Sequence, residues 1–233
     1  MELRAEKVHK HFGSNVALAD INLVVEADTH LLLAGANGAG KTTLLRLLAG
    51  LTGPSEGRVT IGGQDPRRST SQRRYLGLLS HQTLLYDDLS AAENLTFFAG
   101  LYGLDPTVVP AALVRADLTE QAGAQVGGFS RGMKQRLALA RATLHQPRVL
   151  LLDEPFTGLD RRSAHGLSTQ LLQRSEQANS SSVLVTHNVS EAEHFVNRAV
   201  ILRHGKIVCD EPWAPGKAGL QALCDLHQEG AAE

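Results

Sequence analysis

The chain has 233 residues, 42% of them hydrophobic, with 23 Lys plus Arg against 24 Asp plus Glu. That is enough apolar material for one compact unit or two closely packed lobes, and the balanced charge excludes the broad basic field that draws a protein onto nucleic acid or anionic lipid. Two cysteines, Cys209 and Cys224, are too few for a disulfide framework and lack zinc or haem-attachment spacing, and no apolar run approaches the roughly 20 residues that cross a bilayer.

A reducing compartment is therefore expected, and the N-terminus MELRAEKVHKHFG lacks the apolar region and cleavage site of a signal peptide. Any membrane crossing would fall to another chain.

Leu3 to Val8 and Ala19 to Val25 alternate apolar and polar side chains, which predicts two half-buried antiparallel strands joined by a turn at His11 to Asn15. Leu31 to Ala34 is a continuous apolar run ending at Gly35, and Thr42 to Ala49 carries leucines at 44, 45, 47 and 48. The pattern predicts a buried strand, a loop and a core helix stopped at Gly50. Gly53 to Gly63 reads as a turn, a strand at Arg58 to Ile61 and a second turn, with the β-rich part continuing to about Gln82.

From Ser90 to Ala122 the period becomes helical. Ser90 and Glu93 have capping-box spacing, and Leu95, Phe98, Ala99 and Tyr102 share one face. After Gly127-Gly128 a second helix is predicted over Met133 to His145. Val149 to Leu152 is a second apolar strand, ending in Asp153-Glu154, and Val183 to Val185 repeats the design before Thr186-His187. The tail from Pro212 to Glu233 stays open between coil and a short terminal helix, and there is no internal repeat.

Strands alternating with helices predict an α/β fold with a parallel sheet covered on both faces and a ligand site beyond the carboxyl ends of its strands. Residues 35–42, 153–154 and 187 all occupy such ends. The expected organisation is a β-rich and core part over 1–88 and 146–211, a helical subdomain over about 89–145, and a tail over 212–233.

Gly35-Ala36-Asn37-Gly38-Ala39-Gly40-Lys41-Thr42 fits GxxxxGK[ST] between a predicted strand and a predicted helix. The glycines let successive N–H groups point inward at phosphate oxygens, and the helix that follows adds its positive end. Lys41 can set an ammonium on the β- and γ-phosphates, the Thr42 hydroxyl can bind Mg2+, and Thr43 extends the helix start. An isolated Gly-rich turn would also precede an ordinary helix. Asp153-Glu154 supplies what that turn alone would lack: Asp153 to hold magnesium through water, and Glu154 to orient the attacking water.

With further motifs in order over Leu3 to about Asp210, the sequence resembles the ATP-binding subunits of ABC transporters. Phe129-Ser130-Arg131-Gly132-Met133-Lys134-Gln135-Arg136 resembles the family signature, in which a serine, a glycine and a helix start face the γ-phosphate held by the opposite subunit. It departs from LSGGQ at Phe129, Arg131 and Met133, and Arg131 puts the ATP affinity in question. The resemblance further implies Gln82 as the Q-loop residue touching magnesium, His187 as the switch histidine, Asp160 in the D-loop Gly158-Leu159-Asp160, and Phe12 as the ring stacked on adenine.

It implies a P-loop NTPase (RecA-like) core with an antiparallel β subdomain and a helical subdomain, ATP and Mg2+ as ligands, a homodimer enclosing two ATP molecules, and membrane permease subunits on separate chains. The place implied is the cytoplasmic face of the membrane. The stretches LSHQTLLYDDLSAAENLTFFAGLYGL, FSRGMKQRLALARATL and LLLDEPFTGLD are most similar to the haem-exporter ATP-binding proteins of cytochrome c maturation. The alternatives are exporters of drugs, lipids or polysaccharide, a non-transport ABC ATPase, and a P-loop kinase.

Overall fold

The computed structural model describes residues 1–80, 82–214 and 219–229. Three strands, β1 (Leu3–Phe12), β2 (Asn15–Val25) and β4 (Glu56–Ile61), form an antiparallel sheet in the order β2-β1-β4. A second sheet has the order β5-β6-β7-β3-β8-β9, from β3 (His30–Ala34), β5 (Leu76–Leu79), β6 (Val149–Asp153), β7 (Ser181–Val185), β8 (Arg198–Arg203) and β9 (Lys206–Pro212). Its first five strands run parallel, and β9 closes one edge antiparallel to β8.

The helices are α1 (Lys41–Leu48), α2 (Thr70–Arg73), α3 (Ala91–Tyr102), α4 (Val108–Arg115), α5 (Arg131–Thr143), α6 (Arg161–Ser175), α7 (Val189–Ala192) and α8 (Leu220–Glu229).

The continuous apolar strands divide their side chains between two cores, as a two-residue period requires when both faces are covered. Leu31, Leu33, Leu151, Val183 and Val185 join α1 and the antiparallel sheet on one face. Leu32, Ala34, Leu150, Leu152 and Leu184 pack on the other with Leu167, Leu171 and Phe195. A third cluster gathers Leu95, Ala99, Val109, Leu113, Leu137 and Leu144 into a helical lobe. Helix α5 serves two clusters at once: Leu137 and Ala140 face the lobe while Ala138 and Leu139 face the main sheet.

Several elements differ from expectation for local reasons. β1 runs on to Phe12 and β2 begins at Asn15, because the turn needs only Gly13 and Ser14. Register shifts between Ala5 and Lys10 break the alternation that marks a strand in sequence. β5 does not continue the antiparallel lobe but pairs parallel with β6, Leu76 opposite Val149. A Cβ at Gly77 would lie 2.3 Å from the Ala142 carbonyl, so glycine allows that strand to run tight against α5.

α5 starts two residues early, since Ser130 caps it by accepting from the Met133 N–H at 3.2 Å. The tail does form a helix, α8, which buries Leu220 and Cys224 against the main sheet's second core; residues 215–218 and 230–233 of that tail lie outside the described residues.

Candidate active site

The loop after β3 turns through left-handed conformations at Gly35 (φ 144°), Gly38 (φ 81°) and Gly40 (φ 104°). A Cβ on Gly35 would come within 2.2 Å of the Leu202 carbonyl, and one on Gly40 within 2.7 Å of the Ala17 carbonyl. Both positions therefore require glycine for conformation and for space. Ala36, Asn37 and Gly38 are left exposed at the rim of the loop, and Ala39 is tucked into the core.

Lys41 opens α1 but is buried, and its Nζ donates to the carbonyls of Gly35 at 2.6 Å and Ala36 at 2.9 Å. Burial pushes the ammonium pKa down, and the carboxylates of Glu154 and Asp153 act against that shift. A phosphate group would supply the counter-charge this ammonium lacks in contact. Thr43, the next residue but one, is half-buried on the same first turn.

Three neighbouring strands, β6, β7 and β3, bring the remaining groups to the same edge of the sheet. Asp153 is the last residue of β6, buried, and accepts a hydrogen bond from Thr42 Oγ1 at 3.2 Å. This hydroxyl and carboxylate form an all-oxygen pair of the kind Mg2+ prefers, so the residues present fit that ion.

Glu154 follows with φ 53°, a left-handed conformation for a residue with a side chain. It is held there by its N–H donating to the Val185 carbonyl at 2.8 Å, and its Oε2 accepts from the His187 N–H at 3.1 Å. His187 Nε2 stands 3.2 Å from Glu154 Oε1. Thr157 Oγ1 also donates to Oε2, at 3.4 Å.

The structure thus brings together residues 35–43, Asp153, Glu154 and His187. Gln82 follows β5, the next strand along the same edge, but its side chain is exposed, and among the described residues only its carbonyl is bonded, by Ser80 Oγ at 2.6 Å. Phe12 is 55% exposed, with Lys10 Nζ 5.0 Å above its ring, so it is not a core residue. Its hairpin reaches the phosphate loop through Ala17 and Leu18, which crowd Gly40.

Ser130 and Gly132 stand apart from that cluster at the start of α5. Among the described residues no hydrogen bond joins either to residues 35–43. A Cβ on Gly132 would lie 2.5 Å from Ser163 Oγ, so the signature turn packs on the first turn of α6. Asp160 caps α6, accepting from the Ser163 N–H at 2.8 Å, and this bond lowers its carboxyl pKa.

Three contacts had no signal in the sequence. Gln135 is buried and donates Nε2 to the Pro155 carbonyl at 2.8 Å, so α5 fixes the turn that follows Glu154. Thr157 braces the Glu154 carboxylate. The Arg131 guanidinium lies over Gly158, where a Cβ would meet it at 2.5 Å, joining the first turn of α5 to the loop before α6 within one chain. The Gln135 and Arg131 contacts arise only from the packing of α5 on the loop after β6, whereas Thr157 reaches Glu154 from three residues away in that same loop.

Residues 18–157, more than half of the chain, match the family model described as ABC transporter. Among curated relatives, the chain is 39% identical over 216 residues to Nod factor export ATP-binding protein I of Cupriavidus pinatubonensis (strain JMP 134 / LMG 1197), covering 90% of this chain and 65% of that protein. It is 34% identical over 200 residues to ABC transporter ATP-binding protein NatA of Bacillus subtilis (strain 168), covering 82% of this chain and 80% of that one. The ATP-binding cassette MJ0796, solved as a dimer in a post-hydrolysis state with ADP and Pi, superposes with a TM-score of 0.81 at 26% identity, over 91% of this chain and 99% of that chain. Family model, relatives and fold agree: this chain belongs to the ABC transporter family and has the fold of its ATP-binding cassettes.

Proposed function

We propose that the chain binds MgATP and hydrolyses it as the motor subunit of a transporter whose membrane-spanning subunits are separate chains, working at the cytoplasmic face of the membrane. The observation that carries this reading is the meeting of Lys41, Thr42, Asp153, Glu154 and His187 at the ends of three adjacent strands.

The loop amides and Lys41 grip the β- and γ-phosphates. Thr42 and Asp153, with Gln82 as a further ligand, would hold Mg2+, which would supply positive charge against the phosphate oxygens. Glu154 accepts the proton of the attacking water, and His187 donates a hydrogen bond toward the γ-phosphate. Phe12 stacks on the adenine. Ser130, Gly132 and the Asp160 loop serve the site of a second copy. Their separation from the phosphate loop of their own chain supports that arrangement, as does the dimer seen for the solved cassette.

Among the described residues no helix is long and apolar enough to cross a membrane. Leu84, Tyr86, Phe97 and Leu101 are nevertheless exposed on and before α3, with the Tyr86 and Phe97 rings 5.1 Å apart edge to face. An apolar patch of this kind suits a partner surface. For the cargo, the haem-export reading of cytochrome c maturation rests on the sequence resemblance alone; the relative at 39% identity is named for export of Nod factor. Loss of c-type cytochromes on deleting the gene would support haem export, and normal levels would exclude it.

The test of the central reading is phosphate release by the purified chain with MgATP. Lys41→Ala is expected to lower nucleotide affinity by on the order of 10²-fold or more, as for loss of a charge-assisted contact of about 3 kcal/mol. Failure of the unmodified chain to bind MgATP, alone or with its membrane partner, would overturn the proposal.

A further inference from the structure

A cavity of about 630 Å³ opens at the other end of the main sheet from the phosphate loop, between the helical lobe and the core. Its walls are the C-terminal ends of α4 and α5, the segment leading into β6, the second half of α6 and the segment leading into β7. Strands β6 and β7 are five residues each, so on the order of 15 Å separates this cavity from Asp153 and His187. It is not part of the nucleotide site.

The lining is chemically one-sided. It includes three guanidiniums, Arg115, Arg148 and Arg174, and no Asp or Glu. Each arginine has free donor capacity in a different way. Arg148 is exposed and lies over the Tyr75 ring at 5.4 Å, a stacking that leaves its in-plane N–H groups open. Arg115 is exposed, and the lobe-to-core bond at its position is made by its carbonyl, which accepts from Gln170 Nε2 at 3.1 Å.

Arg174 is held in the wall by an Nη2 bond to the Pro147 carbonyl, while its Nε is buried with no partner. Ser180 is 4% exposed, and its Oγ is likewise buried and unpartnered. Unpaired polar atoms in wall residues are uncommon, and both of these are closed to solvent in this conformation of the wall. Burial also pushes the Arg174 pKa down, which marks a guanidinium lacking a counter-charge. Between the arginines the wall is made of neutral amides, Gln170, Gln173, Gln177 and Asn179 among them, which suit hydrogen bonding without competing charge.

We propose that this cleft is a second ligand site, built for a small organic molecule bearing two or more oxyanion groups, phosphate or carboxylate, that Arg115, Arg148 and Arg174 bind across the junction of helical lobe and core. The volume falls in the range of small-molecule sites, about 300–1,000 Å³, and guanidinium forks match both kinds of oxyanion. Such a ligand ties α4 to α6, next to the C-terminal end of the helix whose other end carries Ser130.

The test uses the full chain with Lys41→Ala, so that the phosphate loop does not compete, and titrates inorganic pyrophosphate and citrate separately by calorimetry at low salt. Saturable 1:1 binding is expected for at least one of the two. Preference for pyrophosphate would assign a phosphorylated ligand, and preference for citrate a carboxylate one. Adding Arg115→Gln and Arg148→Gln, both at exposed positions, is expected to weaken binding by about tenfold or more with an unchanged melting temperature. Absence of binding of both anions up to about 10 mM, or equal binding by the Arg115→Gln/Arg148→Gln protein, would overturn the proposal and leave the nucleotide reading untouched.

Discussion

Glu154 concentrates the demands placed on one side chain: a left-handed backbone, a carboxylate shared by the His187 N–H and the Thr157 hydroxyl, and an imidazole 3.2 Å away. A left-handed residue with a side chain costs on the order of 1–3 kcal/mol and persists where its surroundings fix it. Glutamine keeps the length and one acceptor oxygen but cannot take a proton from water. Glu154→Gln is therefore expected to bind MgATP while hydrolysing it about 10²–10⁴-fold more slowly, and to accumulate as a nucleotide-bound dimer on size exclusion. Hydrolysis at the unmodified rate would remove Glu154 from its role. His187→Ala is expected to lower turnover too, and to leave ATP affinity nearer the unmodified value than Lys41→Ala does, because in the proposed site Lys41 sets its ammonium directly on the phosphates.

At the level of elements, helix starts do much of the positioning. The capping box expected at Ser90 is present: Ser90 Oγ accepts from the Glu93 N–H at 3.2 Å, and Glu93 Oε2 accepts from the Ser90 N–H at 2.8 Å. Ser90→Ala is expected to cost about 1 kcal/mol in a urea melt, with little change in nucleotide binding, since α3 touches none of the gathered residues. The same device has a second consequence at Ser130 and Asp160. Each caps a helix with its side chain and faces solvent in the lone chain, so their capping bonds and any service to a second copy are made by the same atoms.

Over the whole molecule, two histidines lie where charge is not welcome. His145 Nε2 donates to the Leu76 carbonyl at 2.8 Å, the ring stacks on Tyr102 with centres 3.9 Å apart, and Nδ1 is left buried without a partner. It joins α3 of the helical lobe to β5 of the core. Burial pushes its pKa below the ordinary 6.5, and does the same for His30, which bonds Ser182 Oγ at 3.0 Å. Below that ordinary value the unfolded chain takes up protons that the folded chain refuses. Stability is thus fully present above about pH 6.5 and declines as pH falls through it. Urea midpoints should drop between about pH 7.5 and 5.5, and His145→Phe, which keeps the stacked ring, should shrink the drop; an unchanged pH dependence would show that His145 does not contribute.

The sequence by itself determined the strand, loop and helix around Gly35 to Leu48, the apolar strands ending at Asp153 and Val185, and the cap at Ser90. In each case the signal lies within a few residues: a run of apolar side chains, a glycine where the backbone turns left-handed, or a side chain that bonds its own helix start. Only the tertiary structure decided that β5 joins the parallel sheet and that Gln135 secures the Glu154 turn. It also decided that Arg131 covers Gly158, and that three arginines from separate segments face one cleft. Those outcomes depend on which surfaces meet once α5 is buried on two sides, and contacts between residues distant in the chain leave no periodic trace along it.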